Sequence, residues 1–580
     1  MGERGRMKTN MEIAVIFDEI ADILEFKGDN PFKIKAYRSA ARTIGSLTQD
    51  LQHVAKRGEL TKIPGIGAAI SKKIEEIIRT GKLRLHEELK KSIPEGLLEM
   101  LKIPGLGVKT VSKIYEHFGI SSVEDLERLA KERRLRKLPG LGPKVEERIL
   151  KGIEQYKRQK GVILLWRALP LAERLLEELK QVSGVQKAAV AGDIRRMKDI
   201  VSGIDILVAA DKPEDLFKAF SRLGSVENLN LDGEGGAASA VVAGVPVRLK
   251  IAPLESFSAA LLTLTGSEAH VNSLKALASA AGMKLNERGL FKVEGGVERR
   301  VRGKTEEEIY ERLGLCYVPP ELREGRNEVK AAAEGKLPRL LELLEVRGDL
   351  HVHTSWSDGA RSIEDMALSA VGLGYEYVAI CDHSKSTAGG LSEEELRRQI
   401  AEVEEVNERF ERRGLHFRVL AGVEVDIKED GKLVLGDDVL SELDVVVAAV
   451  HSKFSLDAKA MTRRIAAAME NEHVSIIAHL TGRLLGKREP YAVDIDAIME
   501  KARETGTILE LNAYPNRLDL NDEHCRLAKE YGVKIAISTD AHDATQLQFM
   551  SFGVAIARRG WLEAKDVVNT LPLKELLKVI

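Results

Sequence analysis

The sequence predicts a multidomain chain of α+β and α/β class, with a helical N-terminal region, a mixed α+β middle and a C-terminal distorted (β/α) barrel. Three observations predict it. A Pro-Gly core recurs three times before residue 145, each time ahead of a helix-period segment. Runs such as IDILVAA and PVRLKIA alternate apolar and polar residues in the middle, as strands of a half-buried sheet do. After residue 346, short apolar strands alternate with amphipathic helices, the pattern of a parallel sheet.

Composition excludes several classes. With 44% hydrophobic and 31% charged residues the chain reads as an ordinary globular protein. Its 580 residues leave room for about three to five domains. Cys316, Cys381 and Cys525 form no CxxC pair, which fits a reducing cytoplasm. No apolar run of about 18 residues occurs, and MGERGRMKTN lacks a signal-peptide core, so neither membrane insertion nor secretion is expected. The net charge of −2 hides an asymmetry: residues 1–160 carry 33 Lys and Arg against 23 Asp and Glu. A basic end of that kind suits a polyanion.

The three repeats are Ile63-Pro-Gly-Ile-Gly67, Ile103-Pro-Gly-Leu-Gly107 and Leu138-Pro-Gly-Leu-Gly142. A Gly-x-Gly turn entering a helix leaves backbone N–H groups uncovered and lets a phosphate approach with no Cβ in the way. Lysines 62, 72, 73, 102, 109, 137 and 144 flank these turns. The repeats resemble the helix-hairpin-helix motif, which grips the DNA backbone without reading sequence. The expected DNA contacts are Gly65, Gly67, Lys72, Gly105, Gly107, Lys109, Gly140, Gly142 and Lys144.

PFKIKAYRSAARTI followed by IPGIGAAISKKIEEI resembles the small N-terminal domain of family X DNA polymerases. The resemblance implies that Lys73 aligns with a lysine able to form a Schiff base at a cut abasic site, and that Lys33 and Tyr37 hold a 5′-phosphate. Ala69 stands where some members carry another lysine. A lyase lysine must be an amine at neutral pH. The plainer alternative is that Lys73 only contacts phosphate.

The resemblance continues through the palm and thumb. Its carriers are Ala191-Gly-Asp-Ile-Arg-Arg196, Ile200-Val-Ser-Gly-Ile-Asp-Ile-Leu-Val208, Val247-Arg-Leu-Lys-Ile-Ala-Pro-Leu-Glu-Ser-Phe257 and Leu264-Thr-Gly-Ser267. It implies a nucleotidyltransferase-like palm holding two magnesium ions on three carboxylates, two of them an Asp-x-Asp pair. Here the first of the pair is Gly203, only Asp205 survives, and the third position is Arg248. Asp193 replaces the serine that contacts a nucleotide triphosphate, and an acid there repels one unless a cation intervenes. A palm that folds without polymerising, and without magnesium, is therefore expected. Asp199, Asp232 and Glu234 are the acids near enough in sequence to substitute, though Asp199 reads as a solvated charge.

Nine of the chain's 13 histidines lie after residue 340. His351, His353, Asp358, His383, Glu424, His451, His479, Asp540 and His542 cluster at or near predicted strand ends. In His-x-His on a strand both imidazoles point the same way. Such donors suit a multinuclear metal site that polarises a phosphate ester. This stretch resembles the PHP (polymerase and histidinol phosphatase) domain, with all nine of that family's ligand positions filled. The resemblance implies three ions: one on His351, His353, Glu424 and Asp540; a second on Glu424, His451 and His479; a third on Asp358, His383 and His542. Mixed imidazole and carboxylate donors suit zinc or manganese. Asp382 and Asp426 are expected to orient imidazoles or lysines. Lys385, Lys453 and Arg483 are candidates for steadying a phosphate or for rim positions, while His416, His473 and His524 read as ordinary core or surface residues.

The expected domains are 1–90, helical and lyase-like with the first hairpin; 91–160, fingers-like with two more; 161–255, palm; 256–325, thumb; 326–346, linker; and 347–580, PHP. The expected function is DNA-repair end processing on gapped, nicked or 3′-end DNA by a monomeric, cytoplasmic 3′→5′ exonuclease. Abasic-site endonuclease or 3′-phosphatase activity accompanies it in some members of the family. The competing readings are a gap-filling DNA polymerase with PHP proofreading, a small-molecule phosphatase of the histidinol phosphatase type, and a pure DNA-binding scaffold.

Overall fold

The computed structural model describes residues 10–580 except 47–50, 64, 104, 160, 223–225, 232–235, 296, 302 and 388. Asp232 and Glu234 therefore lie outside the described residues. The chain forms two compact units that divide between Val162 and Ile163.

The first unit is helical. Helices Asn10–Phe26, Pro31–Ser46 and Ala68–Thr80 turn their apolar stripes inward, so that Phe17, Ile20, Ile44, Ile74 and Ile77 are fully buried together. A second core gathers Val111, Ile114, Leu126, Ile149 and Ile153 from helices Val108–Phe118, Val123–Lys131 and Pro143–Gln159. The three Pro-Gly repeats fold alike. Ile66 N–H donates to Ile63 O, Leu106 to Ile103 and Leu141 to Leu138, at 3.0, 3.1 and 3.0 Å. Gly65, Gly105 and Gly140 take φ of 80°, 83° and 86°, which a glycine after proline in a tight turn supplies without strain.

In the second unit, strands β1 (Val185–Ala191), β2 (Ile204–Ala210), β3 (Val226–Leu231), β4 (Ala237–Val242) and β5 (Val245–Ile251) form a palm-like sheet of order β1-β2-β5-β4-β3. The β2–β5 pair is parallel and its neighbours antiparallel. Alternation sends Ile204, Ile206 and Val208 into a core with helices Leu165–Lys180 and Pro213–Arg222. Leu207 and Ala209, the same parity as Asp205, meet helix Phe257–Thr265 on the other face. A smaller antiparallel sheet, β6 (Met283–Asn286), β7 (Gly289–Glu294) and β8 (Val297–Val301), belongs to the thumb-like region. The segment expected as a linker, 326–346, is packed: it contains helix Glu328–Ala333, buries Leu340 and Leu341, and its Leu341 N–H donates to Leu562 O at 3.0 Å.

The C-terminal sheet has seven parallel strands in sequential order: β9 (Gly348–Val352), β10 (Tyr377–Ile380), β11 (Arg418–Asp426), β12 (Val445–Ala449), β13 (Ile476–Ile477), β14 (Ile508–Asn512) and β15 (Ile535–Ser538). It curls until its ends meet, with a parallel bridge from Val352 to Ala541, so the barrel is nearly closed. Nearly every strand residue is buried, as expected of a parallel sheet covered on both faces. The intervening helices start where the sequence places caps: Ser362, Ser392 and Asp457 accept from the backbone N–H of Asp365, Glu395 and Ala460. Ser392 and Glu395 close a reciprocal capping box.

Candidate metal centre

The barrel brings all nine predicted donors to the C-terminal end of its strands. His351 and His353 sit at the end of β9, His383 follows β10, Glu424 lies near the end of β11, and His451 and His479 follow β12 and β13. Asp540 and His542 follow β15, and Asp358 is carried by the loop after His353. Strand ends are where a parallel barrel places its reactive groups, because the connecting loops there are free of packing duties. His479 and Asp540 hold φ of 29° and 53°, a conformation that costs a non-glycine residue energy and that recurs at functional sites.

Glu424, 1% exposed, is the centre of the set. One carboxylate oxygen, Oε1, lies 3.0 Å from His479 Nε2 and 3.1 Å from His451 Nε2. The other, Oε2, lies 2.7 Å from His383 Nδ1, 3.6 Å from His351 Nε2 and 3.7 Å from His353 Nε2. His353 Nε2 is also 3.1 Å from Asp540 Oδ1, and Asp358 is 3.3 Å from His542 Nε2 and 3.7 Å from His383 Nε2. Three groups could each hold one cation: His353, Asp358, His383 and His542; His351, His353 and Asp540; and His383, Glu424 and His451. These groups share His353 and His383, whereas the sequence reading assigned each to one ion.

Two observations test whether this donor set fits divalent metal. Glu424 Oε2 and His383 Nδ1, though 2.7 Å apart, and His353 Nδ1 are buried and make no well-aligned hydrogen bond, although such atoms are normally satisfied. The donors themselves, imidazole with carboxylate, are those of zinc and manganese sites. The residues fit.

Electrostatics keep the carboxylates charged. Burial alone would protonate Glu424, but His451, His351 and His383 outweigh it and hold the carboxyl well below its ordinary range. Burial pushes His353 down to about 4, with the neighbouring His542 adding to it, which keeps the ring neutral and its lone pair available. His451 is also desolvated, yet Glu424 and Asp426 win and push it up to about 10.

Partners behind the donors separate into those the sequence anticipated and those it did not. Asp426 Oδ1 receives His451 Nδ1 at 2.8 Å, the expected orienting role. Asp382 does something different from expectation: it orients no imidazole, but binds Thr354 N–H, Thr354 Oγ1, Ser357 Oγ and Gln399 Nε2, and so folds the loop that carries Asp358. Glu510 went unnoticed within the apolar run TILELNA. Its Oε1 meets His351 Nδ1 at 2.8 Å, and its Oε2 takes His479 N–H at 2.7 Å, tying two candidate ligands together. Its signal was an acid flanked by leucines on a strand whose residues are all buried. Arg517, also missed, brings its Nε to 3.5 Å from Asp540 Oδ2. Arg483 is no phosphate-facing rim residue: it is largely buried and pairs with Asp199 at 3.0 Å, which likewise removes Asp199 from the class of solvated charges. Burial makes both roles untenable for isolated charges and explains the pairing.

In the palm, register sets Asp205 of β2 directly beside Arg248 of β5. Arg248 Nε donates to Asp205 Oδ1 at 2.5 Å and Nη2 to Oδ2 at 2.8 Å, a two-pronged ion pair. Gly203 has φ of 154°, and a Cβ there would lie 2.7 Å from Pro246 O. Asp193 accepts from Ser202 N–H at 3.0 Å and Arg196 Nη2 at 2.5 Å, with Lys198 at 3.6 Å, so cations do intervene. Arg195 is taken up by Glu306. An open cleft of about 560 Å³ runs past Asp205, Arg248, Lys250, Ser239, Asn230 and Thr263.

In the helical unit, Lys72, Lys109 and Lys144 are exposed beside the turns. A Cβ on Gly67, Gly107 or Gly142 would meet nothing within 4 Å, so no contact inside the fold demands glycine there. Lys33 is paired with Asp29 at 3.0 Å. Tyr37 is buried against Phe17, and Lys73 Nζ lies 5.9 Å from the Tyr37 ring centroid and donates to Ala69 O at 3.2 Å.

Comparison with known proteins agrees with these regions. A helix-hairpin-helix domain family matches residues 8–83, a SAM-like helix-hairpin-helix tandem 97–155, the DNA polymerase beta thumb 260–324 and the PHP domain 349–514. Over 570 residues the chain is 38% identical to "DNA polymerase/3'-5' exonuclease PolX" of Bacillus subtilis, covering 97% of this chain and 98% of that protein. It is 29% identical over 243 residues to a "Probable phosphatase" of Thermoanaerobacter sp., covering 40% of this chain and 94% of that one. It is 27% identical over 346 residues to rat DNA polymerase lambda, covering 54% and 56% respectively.

Proposed function

We infer the function of this chain from one premise: it belongs to the family X DNA polymerases that carry a C-terminal PHP domain. It is an enzyme of DNA, bound through its helix-hairpin-helix and thumb regions, and its PHP barrel is a metal-dependent hydrolase fold. No helix among the described residues is long and apolar enough to cross a membrane.

On that premise the chain is a cytoplasmic DNA-repair nuclease whose barrel hydrolyses phosphodiesters from 3′ ends, on a palm that does not polymerise. The observation that carries this reading is the contrast between nine converging donors in the barrel and the guanidinium on Asp205 in the palm. His351, His353, Glu424 and Asp540, with His451 and His479 and with Asp358, His383 and His542, hold up to three zinc or manganese ions. Those ions supply Lewis-acid polarisation of the phosphate and an acidified water. The chain's own part is to keep the carboxylates charged and the His353 ring neutral, with Asp426 and Glu510 fixing the rings of His451 and His351. Lys72, Lys109, Lys144 and the paired glycines at 65 and 67, 105 and 107, and 140 and 142 supply backbone contacts to DNA. Lys33, Tyr37 and Lys73 take a 5′-phosphate, with Schiff-base chemistry at Lys73 dependent on its losing a proton.

A phosphomonoesterase activity at 3′ ends has its own support, the likeness of the barrel to proteins named as probable phosphatases. The test is 3′-end-labelled DNA incubated with manganese, the wild type against His353→Ala. Label released by the wild type alone is expected; unchanged label in both would reject the exonuclease. Primer extension run in parallel is expected to show no template-dependent incorporation.

A further inference from the structure

One connection inside the second unit joins the palm to the barrel. The segment 514–518 carries Arg517, the guanidinium 3.5 Å from the candidate ligand Asp540. Arg517 is about one-fifth exposed, 19%.

The palm holds this segment at two points. Trp166 Nε1, on the first palm helix, donates to Asn516 Oδ1 at 3.1 Å. Asp199, in the loop between Arg196 and β2, keeps Oδ1 on Ile200 N–H at 2.9 Å and turns Oδ2 to Arg483 Nη2 at 3.0 Å. Arg483 then donates from Nε to Arg517 O at 2.9 Å, and from Nη2 to Leu518 O. Leu518 holds φ of 44°, a left-handed conformation that a β-carbon disfavours and that needs surrounding contacts to persist. The 199 loop is the one that also contains Ser202 and Gly203, where the family's catalytic pair has been lost.

We propose that Asp199 and Trp166 of the palm are positioning residues for the barrel's phosphodiester chemistry: they fix the 514–518 segment so that Arg517 meets the substrate phosphate beside the metal ligands. The proposal rests on the barrel being a phosphoesterase, and it gives the palm a task that needs no magnesium. Arg517 presents a fixed fork to a phosphate oxygen, which an unbuttressed loop would offer only part of the time.

The test uses full-length, manganese-loaded protein. Inorganic phosphate binding is measured by titration calorimetry, and kcat and KM are measured on bis-p-nitrophenyl phosphate, a diester without DNA. Asp199→Ala is expected to weaken phosphate binding and lower kcat about tenfold while bound manganese stays at the wild-type level. Asp199→Glu, which keeps the charge, is expected to restore most of the loss. Trp166→Phe, which keeps the ring and removes the N–H, is expected to give a smaller loss of about fivefold. Wild-type phosphate affinity in Asp199→Ala protein of full manganese content and unaltered melting would overturn the proposal. Absence of diesterase activity in the wild type would instead strike the phosphoesterase reading, and the phosphate titration would still report on the positioning.

Discussion

The palm and the barrel start from similar materials: a carboxylate on a parallel strand pair, Asp205 at the start of β2 and Glu424 near the end of β11. In the barrel, Glu424 at the end of β11 is surrounded by five imidazoles, two of them 3.0 and 3.1 Å from one of its oxygens. In the palm, Asp205 faces a single guanidinium across the β2–β5 register. An imidazole can give up its proton and offer a lone pair to a metal; a guanidinium has none to offer and remains charged at any accessible pH. Asp205 is thus already neutralised, and a magnesium ion would have to displace a fixed cation rather than water. The two carboxylates differ in their partners, imidazoles around Glu424 and a guanidinium on Asp205.

The comparison can be broken most decisively at Glu510. Glu510→Gln keeps size but weakens the grip on His351 and His479, and is expected to lower metal affinity about 10–100-fold, read by metal titration against a chelating dye. Unchanged affinity would mean that the imidazoles need no support from behind. A smaller effect belongs to the palm. Gly203→Asp must hold a β-carbon at φ of 154° and 2.7 Å from Pro246 O, and is expected to cost about 1–3 kcal/mol in urea unfolding. Combined with Arg248→Asp it rebuilds the three carboxylates on paper. Primer extension is expected to stay at background, and robust incorporation would show that the palm lost chemistry by side chains alone.

The smallest effect concerns the palm–thumb junction. Glu306 is buried, but Arg195 and Arg323 outweigh its desolvation and hold it below its unfolded value of 4.5. The folded state therefore resists protonation, so the contribution to stability is present above about pH 4.5 and is lost as pH falls through the lowered value. The urea midpoint of the wild type should decline below that pH more steeply than that of Glu306→Gln. Parallel declines would assign the acid sensitivity to other carboxylates.

Much of the site was legible because its signals are local. His351-Val-His353 puts two imidazoles on one strand face by alternation, and Asp540-Ala-His542 closes the last strand. Glu510 was not, since one acid in an apolar run acquires meaning only opposite His351, 159 residues away in sequence. Asp382 was misread because its neighbour His383 suggested a shared role, while its actual partners come from the loop at 354–357.

The sequence by itself determined the residue types at each strand end, the three turns with a glycine after proline, and the presence of Gly203 and Arg248 beside Asp205 in the palm. These are properties of single positions and short spacings, where covalent geometry leaves little choice. Only the tertiary structure decided that Arg248 chelates Asp205, that Glu510 joins His351 to His479, and that Asp199 reaches Arg483 across 284 positions. Ion pairing between distant strands depends on register and on burial, and neither is fixed until the sheet has closed.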